Sequence, residues 1–175
     1  MKRTKVSLWE TITLCQTQAG WVGLFLSPRG LRALAYPRPS VEEALANLQE
    51  RWPEASFEES AAEGLKEQLR RYYAGEPVTF SAKLDLEGYT PFERRVWAVT
   101  SRIPYGQTRS YSWAAEEVGS PLGYRAVGAA LAKNPIPIII PCHRVLRKDG
   151  TLGGYGGGLD MKRRLLEMEG QGAYT

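Results

Sequence analysis

The sequence predicts an α/β protein of the α+β kind: a small N-terminal three-stranded antiparallel sheet with helices, then a mainly helical C-terminal part with a winged helix-turn-helix. Three observations lead to this fold class. Between residues 8 and 36, three short segments alternate in polarity and are separated by turn residues. Between residues 110 and 133, two short helical patterns meet at a turn that contains glycine. Asp149 and Gly150 then supply a hairpin turn where a wing would lie.

The N-terminal elements follow from composition and turn signals. The predicted strands are rich in Thr, Val, Leu and Trp, and they cover residues 8–15, 20–26 and 30–36. Ser40 and Glu43 have the spacing of a capping box, which begins a helix that runs to about Arg51. A second helix is predicted over residues 61–73, with Gly75 as its end signal. These elements form a predicted first domain over residues 1–83, in which no catalytic group of residues stands out.

A predicted connection over residues 84–90 leads to a second domain over residues 91–175. Thr90 and Pro91 are typical of a helix start, with a cap followed by proline at the first helical position. Further helices are predicted in this domain by apolar spacing and by breakers, over residues 110–118, 122–133 and 159–168. The second domain therefore reads as mainly helical.

Charge is unevenly distributed along the chain. Residues 1–93 hold 11 Lys and Arg against 13 Asp and Glu, whereas residues 94–175 hold 12 against 6, a net charge of +6. A basic C-terminal half suggests an anionic partner, with nucleic acid as the first candidate. A merely solvated basic surface explains the charge equally well.

Composition excludes several classes of protein. Two cysteines do not make a disulfide framework, and with one histidine they cannot complete a four-ligand zinc site, so we predict no metal. Cys15 lies in an alternating run and is predicted to pack in the core. No apolar run approaches the roughly 18 residues of a membrane span, and no secretory signal is recognised. We therefore expect no membrane partner and a cytoplasmic protein of prokaryotic type, with a nuclear location left open.

Residues 134–147 carry the strongest chemical signal. An apolar run ends at Pro141, and Cys142, His143 and Arg144 follow directly. His143 is the only histidine in the chain. An adjacent imidazole or cation lowers the pKa of a thiol, which becomes a nucleophile as its thiolate. We therefore predict a reactive thiol at Cys142, the alternative being the small buried apolar residue that a lone cysteine usually is.

Two features beside this stretch suggest a ligand. The predicted helix over residues 122–133 has a face of small residues, including Ala126 and Gly128, with Arg125 near its start. Such a face allows close approach to a backbone or a narrow groove, although helix-helix packing explains it equally well. The Gly-rich segment over residues 153–158 lacks the context of a phosphate-binding loop. It would let Tyr155 approach a flat ligand, or it is a flexible surface loop.

Residues 90–170 resemble the O6-alkylguanine-DNA alkyltransferase family, the methylated-DNA–protein-cysteine methyltransferases. The motifs that carry the resemblance are R-A-V-G at residues 125–128, N-P-I-P-I-I-I-P at 134–141, P-C-H-R at 141–144, Y-G-G-G-L at 155–159 and E-G at 169–170. They occur in the family's order and at its spacing. The N-terminal half matches only in general character, and it lacks the Cys and His with which some members bind zinc.

The resemblance implies a DNA repair enzyme that transfers an alkyl group, typically methyl, from O6-alkylguanine in double-stranded DNA to its own cysteine. Activity on O4-alkylthymine stays open. The implied catalytic residues are the nucleophile Cys142, its relay through water to His143 and Glu169, and Asn134, which ties the recognition helix to the active-site turn. The implied substrate-binding residues are Tyr155, which donates a hydrogen bond to the leaving base, with Val145, Gly156 and Pro137 at the base pocket.

The resemblance also implies how DNA is bound. The helix-turn-helix would enter the minor groove and rotate the damaged base out of the stack. The implied DNA-binding residues are Arg125, which fills the gap, Tyr111, which pushes the 3′ phosphate, and Ser112, Ala126 and Gly128. Because the product is a thioether that water does not hydrolyse, each molecule should act once, without a cofactor. We expect a monomer in solution, with cooperative binding along DNA left open.

Three other functions remain possible from the sequence. A helix-turn-helix protein could bind lesions without alkyl transfer, but its relatives of that kind replace the cysteine that is present here as Cys142. A cysteine hydrolase would turn over many times on an ester or a peptide. A regulator in which a methylated cysteine changes transcription would need a further metal-binding domain, for which the chain shows no sign.

Overall fold

A computed structural model describes residues 10–170 and residue 172. The chain divides into two compact units, one up to Asp85 and one from Leu86. This boundary falls within the predicted connection over residues 84–90. Residues 8 and 9, where the first strand is predicted to begin, lie outside the described residues.

The first unit is built on one sheet. Strands β1 (Thr11–Thr17), β2 (Gly20–Ser27) and β3 (Gly30–Arg38) form the predicted antiparallel meander. A fourth strand, β4 (Ser56–Phe57), pairs in parallel with β1 and gives the order β3-β2-β1-β4. The prediction of three strands is wrong on this point, because a two-residue strand is too short to show alternation.

Two helices accompany this sheet. Helix α1 (Val41–Arg51) begins as predicted, with the Ser40 hydroxyl accepting a hydrogen bond from the backbone nitrogen of Glu43 at 3.2 Å. Its buried side chains share a core cluster with residues of the sheet. Helix α2 (Glu63–Tyr73) begins two residues later than predicted. Ala62 adopts a left-handed backbone conformation there, with φ +58°, which a helix cannot continue through.

The described part of the second unit has four α-helices: α3 (Pro91–Thr100), α4 (Tyr111–Glu117), α5 (Tyr124–Ala132) and α6 (Leu159–Met168). Thr90 and Glu93 make a complete capping box at the start of α3, and Pro91 occupies the first turn. The indole nitrogen of Trp97 donates to the carbonyl of Ala130 at 3.0 Å, which ties α3 to α5 in the core. No helix within the described residues is long and apolar enough to cross a membrane.

Helices α4 and α5 form the predicted helix-turn-helix. The Ser110 hydroxyl accepts from the backbone nitrogen of Trp113 at 3.0 Å and caps α4. The turn is closed by the backbone nitrogen of Gly123, which donates to the carbonyl of Ser120 at 2.7 Å. Helix α5 therefore starts two residues later than predicted, and Leu122 is left 92% exposed in the turn.

The predicted wing is reduced to a turn. The backbone nitrogen of Arg147 donates to the carbonyl of Thr151 at 2.9 Å, so the chain does reverse at Asp149 and Gly150. Residues 151–155 form no strand, however, and β6 (Val145–Leu146) pairs in parallel with β5 (Arg109–Ser110) instead. The second arm of the expected hairpin runs into successive glycines, which weaken a strand.

Candidate active site

A buried loop closed by Asn134 connects α5 to Cys142. The Asn134 side-chain oxygen accepts from the backbone nitrogen of Ile136 at 2.9 Å, and its Nδ2 donates to the carbonyl of Ile140 at 2.8 Å. Ile136, Ile138 and Ile140 are buried and anchor the loop in the core. Ile138 has φ +75°, a strained conformation for a β-branched residue. One asparagine thus sets the geometry with which the chain enters the active-site turn.

The Cys142 thiol lies at the start of a single 3-10 turn, Cys142–Arg144. Its Sγ accepts a hydrogen bond from Asn134 Nδ2 at 3.0 Å, and only 8% of the residue is exposed. Burial raises the pKa of the Cys142 thiol, and the Asn134 amide and the charge of Lys162 offset only part of this rise. The prediction of a lowered thiol pKa is therefore wrong. The thiol stays protonated and needs a base to become a nucleophile.

His143 and Glu169 form the buried pair that the resemblance implies. The His143 Nε2 lies 2.7 Å from Glu169 Oε1, and both residues are buried. Burial would raise the pKa of the Glu169 carboxyl, but hydrogen bonds from His143 and Arg144 outweigh it and hold the pKa at about 2. An ionised carboxylate only accepts hydrogen bonds, so His143 Nε2 is the donor, and the lone pair of the neutral ring lies on Nδ1.

The ring of His143 is in its neutral form, which can accept a proton. Burial lowers the pKa of His143 more than the hydrogen bond to Glu169 raises it. The imidazole is therefore neutral near pH 7, and its orientation is fixed by a carboxylate, as in hydrolase triads. Such a ring can act as a general base, and its action on the Cys142 thiol stays a prediction.

Arg144 has a different role from the one that its position in the sequence suggests. Its Nε donates to Glu169 Oε2 at 2.9 Å, its Nη2 to Glu169 Oε1 at 3.0 Å, and its Nη1 to the carbonyl of Ile103 at 2.7 Å. The guanidinium thus turns away from the thiol and completes the binding of the Glu169 carboxylate. The expectation that Arg144 acts on Cys142 directly is wrong, because successive side chains of the turn leave in different directions.

Lys162 is the cation near the thiol, and sequence reasoning missed it. The ammonium group on α6 is fully buried and donates to the carbonyls of Val145 at 2.7 Å, Gly154 at 3.3 Å and Leu152. Burial lowers the pKa of Lys162 to about 8, and the nearby Cys142 sulfur opposes part of this shift. No charge pattern on α6 distinguishes it from the neighbouring surface cations, so the sequence contained no usable signal.

A cavity of about 730 Å³ opens above Cys142. Its walls come from the helix-turn-helix, the turn at Arg147 and Lys148, and the Gly-rich segment over residues 153–156. Tyr155 and Gly156, two of the predicted substrate-binding residues, line it. This volume is typical of pockets that enclose small molecules. An aromatic ring with several glycines around a thiol suits a flat ligand.

Tyr111 and Ser112, which the family resemblance assigns to DNA binding, also line this cavity. The Tyr111 ring packs against the backbone at Gly153, where an added Cβ would lie 2.9 Å from the Tyr111 hydroxyl and where φ is +67°. A side chain at Gly153 would therefore displace the ring. Tyr111 forms part of the pocket wall in this structure, and its action on a phosphate stays a prediction.

Two residues predicted at the base pocket lie elsewhere. Val145 and Pro137 are buried, and neither lines the cavity. Val145 contributes its carbonyl, which accepts from Lys162, rather than its side chain. Neither side chain therefore forms part of the cavity wall, and their contact with a ligand stays a prediction.

The small residues of α5 lie on two sides of the helix, one buried and one exposed. Ala130 and Val127 are buried in the helical core, whereas Ala126 and Ala129 are exposed and Gly128 lines the cavity. Helix-helix packing therefore explains only one side of the helix. The other side, which also carries the exposed Arg125, presents small residues to solvent and leaves room for a large ligand to approach the backbone.

The site combines a thiol, a neutral imidazole held by a carboxylate, and an apolar cavity. Within the described part of the chain, no three His, Cys, Asp or Glu side chains cluster so as to hold a metal ion. The groups present support nucleophilic attack by sulfur on a ligand bound in the cavity, with His143 as the proton acceptor.

The sequence of this chain is similar to those of known proteins. The family model described as 6-O-methylguanine DNA methyltransferase, DNA binding domain, matches residues 91–171. A methylated-DNA–protein-cysteine methyltransferase of Mycolicibacterium paratuberculosis is 47% identical over 152 residues, which cover 82% of this chain and 88% of that protein.

Solved structures share the fold. The O6-methylguanine methyltransferase of Mycobacterium tuberculosis is 39% identical, with a TM-score of 0.76, and the match covers 91% of this chain and 92% of that chain. Mycobacterium tuberculosis OGT in complex with DNA is 38% identical at the same TM-score and coverage.

Proposed function

The chain belongs to the methylated-DNA–protein-cysteine methyltransferase family, and we propose that it repairs DNA by moving an alkyl group from guanine O6 to Cys142. The observation that carries the proposal is the cavity that opens on the Cys142 thiol between the helix-turn-helix and Tyr155. His143 directly follows this thiol in the chain, and its buried ring, held by Glu169, is the proposed base. The transfer is an S-methyltransferase reaction in which the protein is both enzyme and acceptor.

The chemistry is a displacement at the alkyl carbon. The thiol proton passes to His143, through a bridging water in the relay that the family resemblance implies, and the imidazolium formed is stabilised by Glu169. The sulfur–carbon bond forms as the carbon–O6 bond breaks, and the base leaves with the electron pair. A hydrogen bond donated by Tyr155 would stabilise the negative charge on the leaving base. The thioether formed on Cys142 is inert to water, so each molecule acts once.

DNA is the proposed partner of the second unit. The exposed side of α5 has Ala126 and Ala129 beside Arg125, a surface that suits close approach to a minor groove. A base inside the stack cannot reach a buried thiol, so the damaged nucleotide must rotate into the cavity. Contacts with phosphates would give affinity that depends on salt and little on sequence.

The two cysteines allow a matched test of the nucleophile. Cys142→Ala should abolish transfer from a duplex that contains O6-methylguanine and should retain DNA binding, because the substitution removes sulfur without changing the binding surface. Cys15→Ala is the control, since Cys15 is buried in the first unit. Radioactive methyl counted on the protein gives the readout. A Cys142→Ala protein that still accepts methyl would refute the assignment.

Arg125 tests base rotation separately from chemistry. Arg125→Ala should slow repair of duplex DNA by roughly tenfold or more, because the vacated position in the stack would lose its filler. Reaction with free O6-benzylguanine, which needs no rotation, should be unchanged. Equal losses on both substrates would show that Arg125 acts on the pocket and not on the duplex.

A further inference from the structure

Several cations of the second unit are already bound by acceptors of the protein. Arg102 pairs with Glu117, Lys133 with Glu93 at 2.8 Å, and Arg163 with Asp160 at 2.7 Å, in addition to the buried Arg144 and Lys162 described above. Such pairs have little charge left to offer a ligand. The cations that could bind an external anion are therefore those whose side chains have no acceptor.

Arg147 and Lys148 are two such cations. Both are exposed, and neither side chain forms a hydrogen bond or an ion pair with any other residue in the described ranges. The carboxylate beside them, Asp149, accepts from the backbone nitrogen of Thr151 at 3.0 Å and from its hydroxyl at 2.7 Å. Asp149 is therefore engaged within the turn, although its charge is felt by Arg147.

The turn holds this pair at a defined place. The backbone nitrogen of Arg147 donates to Thr151 and its carbonyl accepts from Gly150, both at 2.9 Å, and the residues just before it form β6. Both side chains line the same cavity as Cys142 and Tyr155. Arg125, by contrast, is exposed on α5 and does not line the cavity. The pair thus belongs to the site of the reaction and not to the helix that approaches the duplex.

The chemistry of the cavity has two zones that match the two ends of a nucleotide. Tyr155 and the glycine-rich segment form an uncharged wall beside the thiol, which suits a base. The exposed guanidinium and ammonium suit an oxyanion, since Arg binds phosphate with two parallel hydrogen bonds and Lys binds it as a point charge. In a rotated nucleotide, the phosphates stay at the mouth while the base enters.

We propose that Arg147 and Lys148 form an oxyanion subsite that binds the phosphate flanking the rotated nucleotide. The proposal rests on the function proposed above and adds to it a contact that acts after rotation. Its effect is to hold the extruded nucleotide in the cavity while sulfur attacks. The same two cations could instead meet an anionic adduct, such as a carboxymethyl group on O6, and the test separates these two sources of the oxyanion.

The test compares small substrates that differ only in phosphate. O6-benzyl-2′-deoxyguanosine and its 3′,5′-bisphosphate are reacted with the parent, with Arg147→Gln, Lys148→Gln and the double variant, and with Arg164→Gln. Arg164 is an exposed cation of α6 that lies outside the cavity, so it is the matched control for loss of one charge. We expect the parent to react faster with the bisphosphate than with the nucleoside. In the double variant, the ratio of these two rates should be roughly tenfold lower.

Two further readings complete the expected result. Free O6-benzylguanine carries no phosphate, so its reaction should fall by a smaller factor than that of the bisphosphate in the Arg147 and Lys148 variants, and Arg164→Gln should leave both reactions unchanged. The slope of log affinity for duplex DNA against log salt should fall by about one for each cation removed, and the Arg147→Lys variant should keep the parent slope.

Several results would overturn the proposal. A bisphosphate without advantage in the parent, or an advantage kept by the double variant, would show that the pair binds no phosphate. A loss confined to duplexes with O6-carboxymethylguanine would assign the cations to the adduct. Equal losses with free O6-benzylguanine would show that the turn only shapes the pocket. A parent that transferred nothing from any substrate would instead overturn the proposed function itself.

Discussion

Glu169 is the residue on which the base of the active site depends. Its carboxylate receives hydrogen bonds from His143 and Arg144, and the backbone nitrogen of Gly106 also lies 3.4 Å from it. The desolvation of this charge is offset only because these donors converge on it. Removal of the carboxylate would leave a buried guanidinium without its partner, so Glu169 supports both the orientation of His143 and the local structure.

The lowered pKa of Glu169 predicts acid sensitivity. A group whose pKa is lower in the folded than in the unfolded protein contributes stability that is lost as pH falls. For Glu169 the loss should lie between pH 4.5 and about 2, and it should approach roughly 3 kcal/mol. His143, whose pKa is also lowered, adds a loss that begins below its ordinary value of 6.5.

Urea unfolding at several pH values measures this contribution. Glu169→Gln should be less stable than the parent at pH 7, and its free energy of unfolding should depend less on pH below 4.5. The exposed Glu167→Gln on the same helix is the control and should follow the parent. An identical acid profile for Glu169→Gln and the parent would show that another group causes the sensitivity.

Sequence alone identified the functional residues that are neighbours along the chain. Cys142 and His143 are adjacent and follow a proline, so their chemistry is visible without a structure. The contact of His143 with Glu169 spans 26 positions and was available only through the family's motif. Lys162 was missed, because a lysine on a helix is usually solvated and only the packing of three carbonyls around it shows otherwise.

At the scale of elements, the loop over residues 134–142 connects helix α5 to the turn that carries Cys142. It starts where α5 ends and finishes at the nucleophile, and the Asn134 side chain bonds to both ends of it. The helix and the turn therefore cannot move independently without the loss of these hydrogen bonds. The sequence predicted the ends of this loop from its prolines, but not the left-handed conformation of Ile138 inside it.

Asn134→Asp separates the two functions of that side chain. The carboxylate can still accept from the backbone nitrogen of Ile136, but it has no donor for the carbonyl of Ile140 or for sulfur. We expect a loss of about 1–3 kcal/mol in the free energy of unfolding. The new negative charge should also raise the pKa of the Cys142 thiol, because it disfavours the thiolate.

The measurement is the rate of alkylation of Cys142 by free O6-benzylguanine as a function of pH. The rate of Asn134→Asp should rise at higher pH than that of the parent. Asn134→Ala, which removes the donor without adding charge, should shift the profile less. If the two variants shifted the pH profile equally, the charge at residue 134 would have no part in setting the pKa of the Cys142 thiol.

Short elements were the part of the fold that sequence predicted least well. The three long strands and the capped helices have periodicity and caps that local sequence specifies. The two-residue strands β4, β5 and β6 exist only because distant segments meet, as when Arg109 pairs with Val145. That pairing replaced the predicted hairpin, since the glycines after Leu152 offered no second strand.

At the scale of the whole molecule, the chain separates charge along its length. The excess of cations lies after residue 93, in the unit that holds the cavity and the helix-turn-helix. A basic surface beside a buried nucleophile suits a protein that must search DNA without regard to sequence. The sequence predicted this polarity from composition alone, whereas the ion pairs that neutralise Arg102, Lys133, Arg144 and Arg163 required the structure.

Cys142 should accept one alkyl group and then stop reacting. Intact-protein mass spectrometry, after incubation with excess duplex that contains one O6-methylguanine, tests this most directly. We predict a mass gain of one methylene equivalent per protein, mapped to Cys142 by proteolysis and absent from Cys15. Tight binding with no gain in mass would indicate a protein that recognises lesions without repairing them, and steady turnover of a test ester with an unmodified thiol would indicate a hydrolase.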